Sequence, residues 1–449
     1  MVNRDKLKKA YAEELELFHK LHPTSIKNFE NAKDCLLQGV PLNWMVRYAG
    51  GIPLTVKDAR GVHLTDADGI DYIDFCLGDT GSMVGHSPEP FVEAMADIVK
   101  HGTSHMLPTE DATWNARELT RRFGVKYWQF STSATDANRF AIRLARQITK
   151  RPKVVVFNWC YHGTVDETIA TLTPEGDIIS RLGNIGPQID PSYTTKVIEW
   201  NDVEALENAL KDEDVAVVMA EPVMTNIGIV HPAPGYHEKL RELTRKYGTY
   251  LLIDETHTIC CGIGGYTREK GLDPDIVVCG KTLAGGIPVG VYGFTKEFAQ
   301  KAEAELVALY GLVKGIGGTL AANAITMAAM HVILDKVLTE DFYKHAIPLA
   351  ERFNAGVEAG IKEFGFDWST TQLGTRTEYW FLPEVAKDGT DAVNHRDFDL
   401  DWYMHLYALN RGIFMTPFHN MAIMSAATSE ADVDRHTEVF REACEKIAD

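Results

Sequence analysis

The chain has 449 residues, 45% hydrophobic and 24% charged, and carries a formal net charge of −18. That composition marks a folded globular protein rather than a disordered one, and the excess of acid opposes nonspecific attraction to nucleic acid or to anionic lipid. A single core stops growing beyond ~250–300 residues, so more than one unit is expected.

The amino terminus, MVNRDKLKKAYAEELELFHK, is charged throughout and lacks the apolar centre of a secretory signal. No stretch approaches the ~20 apolar residues of a membrane span. The seven cysteines (Cys35, Cys76, Cys160, Cys260, Cys261, Cys279 and Cys444) are odd in number and irregular in spacing. They read as free thiols rather than a disulfide framework, and no CxxC partner suggests a metal site. The cytoplasm is the expected compartment.

A first helix is expected near Asp5–His19. Short alternating runs from Pro53 to Phe75, split by Ala59-Arg60-Gly61 and Ala67-Asp68-Gly69, predict an antiparallel meander. In the middle of the chain, helical patterns near Glu89–Lys100, Ala112–Phe123, Thr135–Thr149, Val203–Leu210 and Tyr236–Tyr247 alternate with apolar strands starting at Val154, Val215, Tyr250, Ile276 and Val289. Such β-branched runs without polar alternation predict strands buried on both faces, in a mostly parallel sheet covered by helices. A helical stretch from about Ala321 to about Lys336 reads as a connector. Beyond it, helices near Asp341–Phe364, Asp399–Asn410 and Glu430–Ile447, with strands near Glu378–Leu382 and Ala422–Ser425, predict a smaller α+β unit. The expected division is an α/β domain over 81–325 and a small domain built from both termini, 1–80 and 326–449.

Four segments carry candidate chemistry, three of them at strand ends or helix starts, where open α/β sheets bind ligands. Ser131–Asn138 opens a helix with small hydroxyl residues, which suits a phosphate and equally an ordinary N-cap. Asp254 ends a buried strand, where a carboxylate needs a partner, whether a cofactor nitrogen or a structural ion pair. Lys281 follows another buried strand, and four glycines lie between Gly280 and Gly290. A desolvated lysine there tends to lose its charge and attack carbonyls, and the glycines let another group approach the backbone. Tyr161-His162-Gly163 places an aromatic residue at a strand end, either against a flat ring or as a packed core tyrosine. Together the four suit pyridoxal 5′-phosphate. The competing nucleotide motifs, GxGxxG after the first strand and GxxxxGK[ST], are missing.

At these residues the sequence resembles the class III (omega) aminotransferases of fold type I, in the branch of glutamate-1-semialdehyde aminomutase and the amine and β-amino-acid transaminases. The markers run in order from Gly85-His86-Ser87-Pro88 through Ser133–Asn138, Tyr161-His162-Gly163, Glu221-Pro222-Val223, Asp254-Glu255 and Lys281 to Ala284–Gly290 and Gly318-Thr319. The resemblance implies that Lys281 is the Schiff-base lysine and proton shuttle, and that Asp254 holds the pyridine nitrogen protonated. Ser133, Ala134 and Thr135 would bind the phosphate. Tyr161 would stack on the ring beside His162, with Thr256 beneath it, and Glu221 would support the phenolic edge. Gly318 and Thr319 would reach the phosphate of a neighbouring subunit, which implies a homodimer with shared active sites.

Three departures stand out. The usual Ser-Gly-Thr is Ser133-Ala134-Thr135, and alanine tolerates a positive φ less well than glycine. The usual Asp-Glu-Val is Asp254-Glu255-Thr256. Where β-amino-acid relatives have an arginine turn, this chain has Thr416-Pro417-Phe418-His419-Asn420. With Trp44, Tyr48, Trp159, Phe418 and His419 in place of carboxylate anchors, the expected pocket is roomy and apolar. Arg47 is a candidate for the carboxylate of a keto acid, the alternative being a solvated surface arginine. The expected activity is ping-pong transamination between a small amine or amino acid and a 2-oxo acid or ketone. The alternatives are a 2,1-aminomutase or amino-acid racemase on the same cofactor, and a non-catalytic protein that keeps the fold.

Overall fold

The computed structural model describes residues 1–309 and 312–449. They form two compact units: Met1–Pro88 with Asp341–Val385 and His395–Asp449, and Glu89–Glu340 with Ala386–Asn394.

The first unit begins with α1 (Arg4–Leu21), capped by Asn3, whose side chain accepts from the Lys6 N–H, and α2 (Pro23–Ala32), which starts on proline, where a missing N–H costs nothing. Then β1 (Val56–Arg60), β2 (His63–Asp66) and β3 (Asp71–Asp74) form the antiparallel meander that their alternation predicts.

The second unit opens with α3 (Glu89–Ile98) and α4 (Glu110–Phe123), followed by β4 (Tyr127–Ser131), α5 (Ala134–Thr149) and β5 (Lys153–Phe157). A hairpin of β6 (Ala170–Leu172) and β7 (Ile178–Ser180) leads to β8 (Thr195–Ile198), α6 (Val203–Leu210), β9 (Val215–Ala220), α7 (Tyr236–Lys246) and β10 (Tyr250–Asp254). A short α8 (Gly265–Glu269) precedes β11 (Ile276–Gly280) and β12 (Gly290–Phe294), and α9 (Lys296–Ala308) and α10 (Ala324–Val332) complete the run. The seven-stranded sheet has the order β4-β12-β11-β10-β9-β5-β8. Strands β11, β10, β9, β5 and β8 pair in parallel, and β12 runs antiparallel between β11 and β4. Every residue of β9, β11 and β12 is buried, which is why these strands show no polar alternation.

The chain returns to the first unit through α11 (Glu340–Phe364), β13 (Ser369–Leu373) and β14 (Arg376–Trp380). It lends α12 (Gly389–Asn394) to the second unit and ends with α13 (Phe398–Leu409), β15 (Ile413–Phe414), β16 (Met421–Ile423) and α14 (Glu430–Ile447). Strand β15 pairs in parallel with β3, so the two termini share one sheet. Phe18, Leu64, Tyr72, Leu406 and Leu409 form a common core there, each large side chain contributing roughly 1.5–3 kcal/mol by leaving water.

The units divide at Pro88 and Glu340 rather than at 80 and 325, and the expected connector helix is part of the larger one. There α10 packs on α3 and α4. The Asn115 amide donates to the Met327 carbonyl (2.9 Å), and His331 stacks on Trp114 at 3.9 Å while meeting Asp111 at 2.6 Å. Residues 386–394 join the larger unit because the Thr390 hydroxyl accepts from Asn158 (3.0 Å) and the Lys387 carbonyl from Asn201 (2.8 Å). Among the described residues, no helix is long and apolar enough to cross a membrane.

Candidate active site

In the larger unit, chemistry-bearing residues collect where β10 and β11 end. Asp254 closes β10, is buried, and accepts three hydrogen bonds: Asn138 (2.8 Å) and His162 (3.0 Å) on Oδ2, and the Thr256 N–H (3.1 Å) on Oδ1. Burial alone would favour the protonated acid, but His162, with Thr256 and Asn138, holds the carboxyl below its ordinary range. Burial likewise opposes a charge on His162, yet the neighbouring Cys160 and Asp254 lift its pKa well above that of an ordinary histidine. The two form a buried ion pair. Glu255, the next residue, serves the scaffold. It accepts from the Thr258 hydroxyl (2.5 Å) and the N–H groups of Tyr266 (3.0 Å) and Thr267 (2.6 Å), and burial pushes its pKa up.

Lys281 follows β11, which pairs with β10 so that Asp254 lies opposite Val278. The lysine is half-buried and adopts a left-handed backbone, φ +52°, a conformation that non-glycine residues hold only where the surroundings fix it. Its Nζ lies 2.7 Å from His257 Nε2.

The anion-binding end is the start of α5, a 16-residue helix capped by Ser133, whose Oγ accepts from the Asp136 N–H at 3.2 Å. Leading N–H groups of a helix have no intrahelical acceptor and attract an anion. Ala134 is the first helical residue and has no positive φ, so its Cβ causes none of the strain that the missing glycine suggests. Tight packing falls instead on other glycines. A Cβ on Gly163 (φ +77°) would lie 2.0 Å from Thr135 Oγ1, and one on Gly290 would lie 2.2 Å from the Ser133 carbonyl oxygen. The Thr164 N–H donates to Thr135 Oγ1 (3.2 Å), locking the Tyr161–Gly163 turn onto the helix start.

Tyr161 is 45% exposed and so is not a packed core tyrosine. Its N–H donates to Glu221 Oε1 (3.3 Å), while Glu221 Oε2 accepts from the Thr225 N–H (3.1 Å) and hydroxyl (2.5 Å), and burial raises the acid's pKa. Thr256 is buried, and among the described residues its hydroxyl has no hydrogen-bond partner. Gly318 and Thr319 lie on an exposed segment, with open space around the Gly318 Cα.

This donor set fits pyridoxal 5′-phosphate. The helix start can take the phosphate, the ionised Asp254 a protonated ring nitrogen, and the Lys281 amine the aldehyde. His257 is a residue that reading the sequence missed, and Asn138, though inside the marked phosphate segment, shows no role toward Asp254 in the sequence. Asn138 sits one turn inside the phosphate helix and His257 three positions after Asp254, and only the sheet pairing shows what each meets.

The first unit contains a cavity of about 490 Å³ walled by Tyr11, Arg47, Tyr48, Trp402, Phe414 and Phe418, among others. Arg47 lies over the Phe418 ring at 4.7 Å, and no carboxylate pairs with it among the described residues. Tyr48 stacks on Phe414 (6.0 Å, 9°). Phe418 holds φ +75°, and its carbonyl accepts from Arg396 at 2.7 Å. Three expected wall residues, Trp44, His419 and Trp159, do not line this cavity. Trp44 packs on Tyr48 and edge-on to Phe418. His419 is half-buried, and burial pushes its pKa down to about 3, with Arg396, Arg376 and His405 acting in the same direction and Asp79 opposing them. Trp159 belongs to the larger unit, has φ +66°, and carries Arg181 over its ring at 5.4 Å.

The sheet, the paired aspartate and the lysine at the next strand end define a fold type I pyridoxal-phosphate enzyme. The chain belongs to the class-III aminotransferases, whose sequence model, described as Aminotransferase class-III, matches residues 45–363. It is 33% identical over 432 residues to a glutamate-1-semialdehyde 2,1-aminomutase of Sulfurihydrogenibium azorense, covering 93% of this chain and 98% of the relative. The crystal structure of a glutamate-1-semialdehyde-aminomutase from Pseudomonas aeruginosa PAO1 superposes with a TM-score of 0.97 at 43% identity, covering 99% of each chain. That protein has also been solved as a lysine-to-alanine variant in complex with PMP. An omega-transaminase from Sphaerobacter thermophilus follows at a TM-score of 0.86 and 26% identity, covering 94% of this chain and 98% of that one.

Proposed function

We propose that this protein is a pyridoxal-phosphate-dependent 2,1-aminomutase acting on an amino aldehyde of the glutamate-1-semialdehyde type. The observation that carries this reading is the end-to-end likeness to the Pseudomonas aeruginosa aminomutase. In such a reaction the amino group leaves C2, which becomes a ketone, and appears on C1, formerly the aldehyde. The product is an isomer, so neither an oxidant nor a second substrate is required. The likeness supports this alternative over the amine:pyruvate transamination that the aromatic residues suggested.

The cofactor supplies an electron sink and a temporary carrier of the amino group. The chain's residues do the rest. Asp254, kept ionised by His162, holds a proton on the ring nitrogen. Lys281 takes up and returns the proton at the reacting carbon. The Ser133-Ala134-Thr135 helix start would hold the phosphate, Tyr161 and Thr256 would contact the ring, and Glu221 fixes the Tyr161 turn. Arg47 is the guanidinium that recognises the substrate carboxylate. Gly318 and Thr319 complete a phosphate site in a second copy of the chain, making a homodimer in the cytoplasm.

External transamination is the second reading, favoured by the aromatic wall of Tyr48, Trp402, Phe414 and Phe418. A panel of amines with pyruvate separates the two. The aminomutase reading expects no alanine beyond about one equivalent per chain, whereas sustained alanine formation from any amine establishes the transaminase.

A further inference from the structure

The contact between Lys281 Nζ and His257 Nε2, 2.7 Å, has no part in the reading above. Two neighbouring strands produce it. His257 lies in the turn that leaves β10, Lys281 in the turn that leaves β11, and both side chains are half-buried. Among the described residues, the neighbouring acids at this end of the sheet have partners of their own. Asp254 holds His162 and Asn138, Glu255 holds Thr258, Tyr266 and Thr267, and Glu221 holds Thr225 and the Tyr161 N–H. Burial pushes the Cys261 and Cys279 thiols well above their ordinary range, so neither is a neutral-pH proton acceptor.

Two cations at hydrogen-bond distance disfavour each other, so a contact this short is best made by one proton shared between the two nitrogens. An amine must lose its proton before it serves as base or nucleophile, and imidazole is the side chain that ordinarily titrates near neutrality. We infer that His257 is the proton partner of Lys281. While Lys281 is a free amine, its proton passes from Nζ to His257 Nε2, leaving the lone pair on Nζ, and it returns along the same hydrogen bond. The inference rests on Lys281 being the lysine that holds the cofactor.

The test uses cofactor-free protein, in which the amine is free. Recapture of pyridoxal phosphate is followed by its visible absorbance across the neutral range for the parent, His257→Gln and His257→Phe. The parent's rate should show an inflection in the histidine range that both variants lack, with a fall of about tenfold or more at neutral pH. Profiles that superimpose on the parent's overturn the inference. A second measurement does not depend on recapture. The His257 ring is titrated by NMR in the parent and in Lys281→Ala, its signal assigned by its loss in either His257 variant. Removing the amine should raise the midpoint by about one pH unit or more, and an unmoved midpoint overturns the inference. Lys281→Ala that still shows the visible band instead overturns the assignment of Lys281 itself. A colourless Lys281→Ala alongside unaltered His257 variants overturns the proton partnership alone.

Discussion

The strand-end site of the larger unit and the aromatic cavity of the first are built on opposite principles. Around Asp254 each charge is buried and held by named partners, two side chains and one backbone N–H on the carboxylate alone. Around Arg47 the contacts are ring faces and edges, and the guanidinium has a π-face rather than an acid. Buried ionic groups tolerate little change, because removing one partner strands the other without solvation. An apolar wall tolerates changes of shape while its volume is kept. The lesson is that the strand-end site is held by charge pairing and should tolerate little change, whereas the aromatic cavity should tolerate changes of shape.

The largest expected effect is that of Lys281→Ala, which should abolish the visible band and lower turnover by about 10⁴-fold or more, read by spectrum and single-turnover kinetics. Asp254→Asn comes next. Turnover should fall by about 10²–10³-fold, and the stranded His162 should cost about 3–5 kcal/mol in a denaturant titration near neutral pH. That cost has a defined pH window. Asp254 has a lowered pKa in the fold, so its contribution is present above the ordinary carboxylate value of 3.8 and is lost as pH falls through its folded pKa. His162 has a raised pKa, so its contribution is complete below 6.5 and is lost as pH rises through its folded value. Parent and variant should therefore differ fully between 3.8 and 6.5, still differ near neutrality, and converge only below the folded pKa of Asp254 or above that of His162.

For the cavity, Arg47→Ala should raise KM by about 10–100-fold while kcat changes little, the signature of a group that binds carboxylate without taking part in the chemistry. A parallel fall in kcat would remove the distinction between the two regions. The smallest effect belongs to Ala134→Gly. Ala134 is already helical, so restoring the family's usual glycine should change stability by no more than about 1 kcal/mol and leave cofactor affinity unaltered. A marked gain in affinity would mean that the Cβ obstructs the phosphate.

The central sheet was legible because β5, β9, β10 and β11 are unbroken apolar runs, which only a doubly covered strand requires. Strands β8 and β13 escaped notice because they are edge strands with polar residues, Lys196 in one and Ser369-Thr370-Thr371-Gln372 in the other. Helix α9 went unread as well, its mixed Lys, Glu and Ala pattern giving only a weak apolar face. Of the site, Asp254 and Lys281 stood out because a charge directly after a buried run is anomalous in one dimension. His257 did not, because its neighbour is 24 residues away and becomes adjacent only through the β10–β11 pairing. The Ala134 departure looked costly only because the sequence does not show where the helix begins.

The most direct measurement supplies glutamate-1-semialdehyde alone to the dialysed, cofactor-loaded protein and follows the isomeric amino ketone by NMR. The account expects product to accumulate well beyond one equivalent per chain with no added acceptor. Amino ketone that stops at or below one equivalent, with the substrate instead turned over to the dicarbonyl compound only when a 2-oxo acid is added to take its amino group, would contradict it.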